Sequence, residues 1–116
     1  QRGRIVNIIS GLAERGLANS AAYCATQSAV LQLTRALALE WARQNIRVNA
    51  IGTGWYSIEE HVPKQPEADK LSRYIPLRRR GTHNDISSLL VYLSSDACNY
   101  TTGQVIHVDG GLMSHA

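Results

Sequence analysis

Two short segments set the strongest limit on what this chain can fold into: Arg4-Ile5-Val6-Asn7-Ile8-Ile9 and Ile46-Arg47-Val48-Asn49-Ala50-Ile51. Both are mostly β-branched or apolar and lack strict alternation. Such runs read as strands buried on both faces, as in parallel sheets. Between them lies a long apolar stretch. In 22–42, 14 of 21 residues are apolar and only Arg35 and Glu40 are charged. Ser20 is an expected N-cap for a helix from Ala21 to Arg43, and Asn45 is expected to close it. A helix with one wet face would show a wider polar stripe, so two buried faces are expected, one on the sheet and one on a partner. Gly52-Thr53-Gly54 reads as the turn ending the second strand. Trp55 to Pro76 shows no clear periodicity and carries Pro63, Pro66 and Pro76. It reads as a long excursion with a short helix near Glu67–Tyr74. Asp85 to Ser94 reads as a second helix with Ile86, Leu89, Leu90 and Leu93 on one face. Thr102-Gly103 then turns into a third strand, Gln104–Val108. Strand, helix, strand, helix, strand implies an α/β parallel sheet. Ligands in such sheets bind at the carboxyl ends of the strands.

Charge and cysteine usage exclude several classes. The net charge is +3, and the one basic run, Arg78-Arg79-Arg80, has no recognition motif or aromatic platform beside it. It reads as solvated or locally ion-paired, and no nucleic-acid partner is expected. Cys24 and Cys98 lie far apart without a CxxC context, so neither metal nor disulfide is expected, and a cytoplasmic setting fits. No apolar run approaches the roughly 18 residues of a membrane span.

Ser10 ends the first strand and Tyr23 begins the long helix. A serine hydroxyl can hold a substrate oxygen, and a phenol can give or take that oxygen's proton during hydride transfer. The spacing alone is a weak signal, because a serine in a turn and a tyrosine in a helix are structural far more often than catalytic. The surroundings add to it. Gly3-Arg4-Ile5-Val6-Asn7-Ile8-Ile9-Ser10, Tyr23-Cys24-Ala25-Thr26-Gln27-Ser28-Ala29-Val30, Ile46-Arg47-Val48-Asn49-Ala50-Ile51 and Thr102-Gly103-Gln104-Val105-Ile106-His107-Val108-Asp109-Gly110-Gly111 occur in this order. Together they resemble the carboxy-terminal half of the short-chain dehydrogenase/reductase family. Arg79, Gly81, Asp85 and Ile86 match a further family block. The resemblance implies part of a Rossmann-like sheet, three strands with flanking helices. It implies Ser10 as the active-site serine and Tyr23 as the catalytic acid/base. It places Gly54 and Tyr56 near the nicotinamide end of NAD or NADP, which they would approach with backbone atoms, and residues 56–75 over the substrate. Glu59, Glu60 and His61 in that segment read as solvated. The implied substrate is a small carbonyl or alcohol. The implied assembly is a homo-oligomer through helices 21–43 and 85–95.

Four departures stand beside the resemblance. Where the family carries lysine, one helical turn after the tyrosine, this sequence has Gln27. A cation about 4 Å from a phenol, at an effective dielectric near 20, is worth roughly 4 kcal/mol, or about three pKa units. Neutral Gln27 supplies none of that, and a loss of about two to three orders of magnitude in rate is expected. Thr53 stands where the family favours proline. Ile58 stands where a threonine would contact the nicotinamide carboxamide. Finally, no glycine-rich strand–turn–helix for pyrophosphate occurs in the sequence.

The chain starts at Gln1, and its one methionine is Met113. With the absent phosphate motif, this suggests 1–116 as the carboxy-terminal half of one Rossmann-like domain of about 250 residues. Alone, it is not expected to bind a dinucleotide. Two readings follow: part of an NAD(P)-dependent oxidoreductase, or a degenerate, inactive member that keeps only its association surface. NAD versus NADP, and the substrate itself, stay open.

Overall fold

The computed structural model describes residues 2–57 and 69–114. Five main elements follow in the expected order: β1 (Gly3–Ser10), α1 (Ala21–Trp41), β2 (Ile46–Thr53), α2 (His83–Ser94) and β3 (Val105–Val108). Short 3-10 turns cover Gly11–Ala13, Ala42–Gln44 and Lys70–Tyr74. The strands form a parallel sheet in the order β1-β2-β3. The β1–β2 register pairs Gly3 with Ile46 and runs to Ser10 with Thr53. In the β2–β3 register, Gly52 pairs with His107. Both strand ends carrying the candidate residues therefore share one edge.

The two helices pack against different hydrophobic clusters. Ile9, Leu31 and Ala50 form a buried group with α1, joined by Ala13, Val30 and Val105. Ile51, Leu93 and Cys98 form a second, with Val6, Ile86, Leu89, Ile106 and Val108 around it. Along β1, Ile9 serves the first cluster and Val6 the second, as alternation in a strand requires. The asparagines of this interior are matched, while His107 Nδ1 in β3 is buried without a hydrogen-bond partner among the described residues. Asn7 Nδ2 donates to Thr34 Oγ1 (2.9 Å). Buried Asn49 donates to the Thr101 carbonyl and accepts from Gln104 N. Those two bonds tie β2 to the start of β3.

Several expectations are corrected. Ser20 precedes α1, but its side chain makes no capping hydrogen bond. Its carbonyl still accepts from Cys24 N (2.9 Å). The α-helix ends at Trp41, and a 3-10 turn carries the chain to Asn45. Asn45 does close it, at φ 60°, a left-handed conformation that asparagine tolerates. Gly52 and Thr53 belong to β2, not to a turn. The third strand continues β2's pairing that far, and the missing Cβ of Gly52 makes room for His107. Leu90 is 39% exposed while Leu93 is 1% exposed: the buried stripe of α2 runs through 86, 89 and 93. On α1, Leu31, Thr34 and Ala38 face inward, while Leu33 and Leu39 are 52% and 83% exposed. The expected helix near Glu67–Tyr74 is a 3-10 turn over its described part. Ile58, Glu59, Glu60 and His61 lie outside the described residues.

Two members of the arginine run are locally ion-paired, and Arg78 donates to the Arg73 carbonyl. Arg79 forks onto Asp85 (2.8 and 2.9 Å), and Arg80 onto Asp69 (2.7 and 2.9 Å). Asp85 also accepts from Thr82 N at the start of α2 (2.8 Å). Hydrogen bonds from Arg80 hold the Asp69 carboxyl below its ordinary range. Those from Arg79, then from Thr82 N, do the same for Asp85. Depressed carboxyl pKa values add stability that is complete above the unfolded value and disappears as pH falls through the folded one. Thermal melts should therefore show the unfolding midpoint dropping once pH passes below about 4. Asp69→Asn should shallow that dependence. An unchanged slope would show that the pair contributes nothing.

Candidate active site

At the carboxyl edge of the sheet lies a cavity of about 230 Å³. It is lined by Ser10 at the end of β1 with Gly11 and Leu12 after it, by Arg15, Leu17 and Tyr23, by Thr53 at the end of β2 with Gly54 and Trp55 after it, and by Leu112 and Met113. Ser10, Tyr23 and Gly54 thus meet at one place.

The Ser10 side chain is oriented by its own turn. Its Oγ accepts from Leu12 N (3.1 Å), closing the start of the 3-10 turn at Gly11–Ala13. That bond occupies a lone pair and leaves the hydroxyl proton free to donate. Tyr23, in the first turn of α1, is 52% exposed, and its hydroxyl makes no hydrogen bond to another described residue. The loop between them is tied to α1 twice: Ser28 Oγ donates to the Ala13 carbonyl (2.7 Å), and Cys24 Sγ contacts the Arg15 carbonyl (3.8 Å).

Gln27 is held differently from what its place one turn after Tyr23 suggests. Its Oε1 accepts from the backbone N–H of Ser10 at 2.8 Å. The side chain is not part of the cavity lining. It links α1 to the strand end that presents the serine.

Tyr56 does not reach the cavity. It forms a bridge with Gly81, and its hydroxyl donates to the Val108 carbonyl (2.6 Å). Burial, then the charges of Asp85 and Asp109, push its phenol above the ordinary value, which keeps it a donor. A Cβ on Gly81 would sit 2.5 Å from its ring. Tyr56 lines a smaller neighbouring pocket with Arg79 and Asp109, and Trp55 borders both.

Arg15, Leu12, Leu17, Trp55, Leu112 and Met113 were not singled out from the sequence. The last two arrive through the Asp109-Gly110-Gly111 turn. Asp109 accepts from Gly111 N and Met113 N (2.9 Å each), and both glycines have positive φ. The conspicuous Gly-Gly pair was a signal for a turn, but not for where it leads.

Comparisons with known proteins give a consistent picture. A family model described as enoyl-(acyl carrier protein) reductase matches residues 1–113. The 2-dehydro-3-deoxy-D-gluconate 5-dehydrogenase of Formosa agariphila is 33% identical over 97% of this chain and 44% of its own length. The 3-oxoacyl-[acyl-carrier-protein] reductase FabG of Thermotoga maritima is 37% identical over 97% of this chain and 46% of its own. A gluconate 5-dehydrogenase from Burkholderia cenocepacia, solved with NADP and tartrate, superposes with a TM-score of 0.88 at 31% identity, over 99% of this chain and 46% of that one. The chain spans about half the length of the relatives it matches.

Proposed function

The chain belongs to the short-chain dehydrogenase/reductase family, and from that premise we propose that residues 1–116 form the substrate-side half of an NAD(P)-dependent hydride-transfer site for a small carbonyl or alcohol. One observation carries the reading: Ser10 and Tyr23 come from separate elements yet line the same cavity at the sheet's carboxyl edge. Its small volume suits a substrate with the nicotinamide end of a cofactor, not a whole dinucleotide. The shared coverage of about half of each relative supports a domain completed by further residues.

In this reading the Ser10 hydroxyl, its lone pair engaged by Leu12 N, donates to the substrate oxygen. Tyr23 gives its proton to that oxygen on carbonyl reduction and takes it back on alcohol oxidation. The cofactor supplies or accepts the hydride. Gly54, at the end of β2, presents backbone on the same side. The free thiols of Cys24 and Cys98 fit a reducing, cytoplasmic setting. Exposed Leu33 and Leu39 on α1, and Val91 on α2, fit association with a second copy or with the completing residues.

The test is a chimera joining these residues to the amino-terminal half of a matched relative, assayed for NAD(P)H oxidation on a carbonyl panel. Tyr23→Phe should lower turnover by about 10²–10⁴, the usual worth of general acid–base catalysis. Turnover unaffected by Tyr23→Phe would refute the assignment. A second reading, an inactive member kept for association, is favoured by the engagement of Gln27 with Ser10 N. It predicts no turnover from the chimera on any carbonyl.

A further inference from the structure

Arg15 is the one charged residue among those lining the cavity; the rest are apolar or neutral. A guanidinium stays protonated and has five N–H donors. One nitrogen, Nη1, reaches the Leu112 carbonyl across the cavity at 3.5 Å. No described carboxylate pairs with Arg15. Its sequence neighbour Glu14 is already engaged, by His107 Nε2 at 2.6 Å and Arg35 at 3.6 Å. Asp109, the nearest acid in the wall's own turn, accepts from Gly111 N and Met113 N and lines the neighbouring pocket. The Arg15 backbone is held against the first turn of α1 by Cys24, beside Tyr23. The cavity thus joins a neutral donor pair for a carbonyl oxygen, apolar walls and a cation with no ion-pair partner among the described residues.

We propose that Arg15 determines substrate specificity at this site, selecting carbonyl and alcohol substrates that carry a carboxylate. The proposal rests on the reading of the cavity as a carbonyl site. The carbonyl oxygen lies against Ser10 and Tyr23, and the carboxylate accepts from the Arg15 N–H groups not directed at Leu112. Arg–carboxylate hydrogen bonds are charge-assisted, and exposure of the arginine tempers them to about a tenfold preference.

The chimera with the amino-terminal half of a matched relative, labelled with [methyl-¹³C]methionine, reads this directly, because Met113 lies in the cavity wall; Met113→Leu assigns its signal. The probes are 4-oxopentanoate and its uncharged counterpart 4-oxopentanamide. Wild type should bind the acid about tenfold more tightly than the amide. Arg15→Gln should bring binding of the acid down to the level of the amide, and an amide that still moves the Met113 signal shows that the variant's cavity is formed. Arg43→Gln, at the far end of α1 roughly 30 Å from Tyr23, should change neither. Equal affinities in wild type, or a preference that survives Arg15→Gln, would overturn the role of Arg15 and leave the carbonyl site standing. If neither probe moves the Met113 signal, the carbonyl reading falls and the specificity proposal with it.

Discussion

Gly52→Ala is expected to cost about 3 kcal/mol, the upper end for overpacking a filled interior. A Cβ on Gly52 would sit 2.2 Å from His107 Nδ1 and 2.6 Å from Cε1. No rotamer of alanine avoids this, so the imidazole or the strands must move. The ring is held on its other side, where Nε2 meets Glu14 Oε2 at 2.6 Å. Gly52 and His107 are also direct partners in the β2–β3 register, so displacing one disturbs the pairing of the other. Against a usual total of about 5–15 kcal/mol, such a loss would leave a substantial unfolded population. Gly16→Ala is the matched control, because nothing lies within 4 Å of the added methyl. It should be neutral or stabilise by about 0.4–1 kcal/mol through the unfolded chain. Denaturant unfolding of both variants checks the pair. Equal stabilities would show that His107 can swing away freely.

Gln27→Lys should destabilise the chain, although lysine is what the family resemblance expects there. The reason is the bond from Ser10 N to Gln27 Oε1. Lysine has three donors and no acceptor, so the Ser10 N–H would lose its partner. Leaving such a donor unpaired costs about 1–3 kcal/mol. In a domain of this size that is a fall in melting temperature of roughly 4–8 °C per kcal/mol. Gln27→Glu retains an acceptor and should melt close to wild type. The thermal midpoints of the two variants decide the matter. If Gln27→Lys melts like wild type and raises turnover in the chimera, then the missing cation, not the lost brace, was what limited this chain.

Gln27 shows how far a linear reading reaches. Its place one helical turn after Tyr23 is legible, and so is its lack of charge. That its carboxamide turns to the strand end instead is a contact between residues 17 positions apart, visible only once α1 lies on β1. Tyr56 is a similar case. Motif resemblance put its backbone beside Gly54 and said nothing of its side chain, which the bridge to Gly81 and the bond to the Val108 carbonyl draw into the neighbouring pocket.

The elements were the most legible part, because they depend on local periodicity. Apolar runs of strand length, a long apolar helix and the closing Asn45 each act within a few residues. From them came the parallel sheet and the shared edge of Ser10 and Gly54. The boundaries that failed depend on partners. Gly52 and Thr53 stay in β2 because β3, more than 50 positions on, supplies their hydrogen-bonding neighbours. The wall of Leu112 and Met113 stands nearly 100 positions from Arg15 in sequence, yet meets it across the cavity. By itself the sequence determined which strands and helices form, and that a serine and a tyrosine face one edge. Tertiary structure alone decided which residues close the cavity, that Gln27 braces Ser10, and that Arg15 stands there without a countercharge among the described residues. Periodicity encodes burial along a single element, whereas a cavity is defined by where separate elements fail to touch.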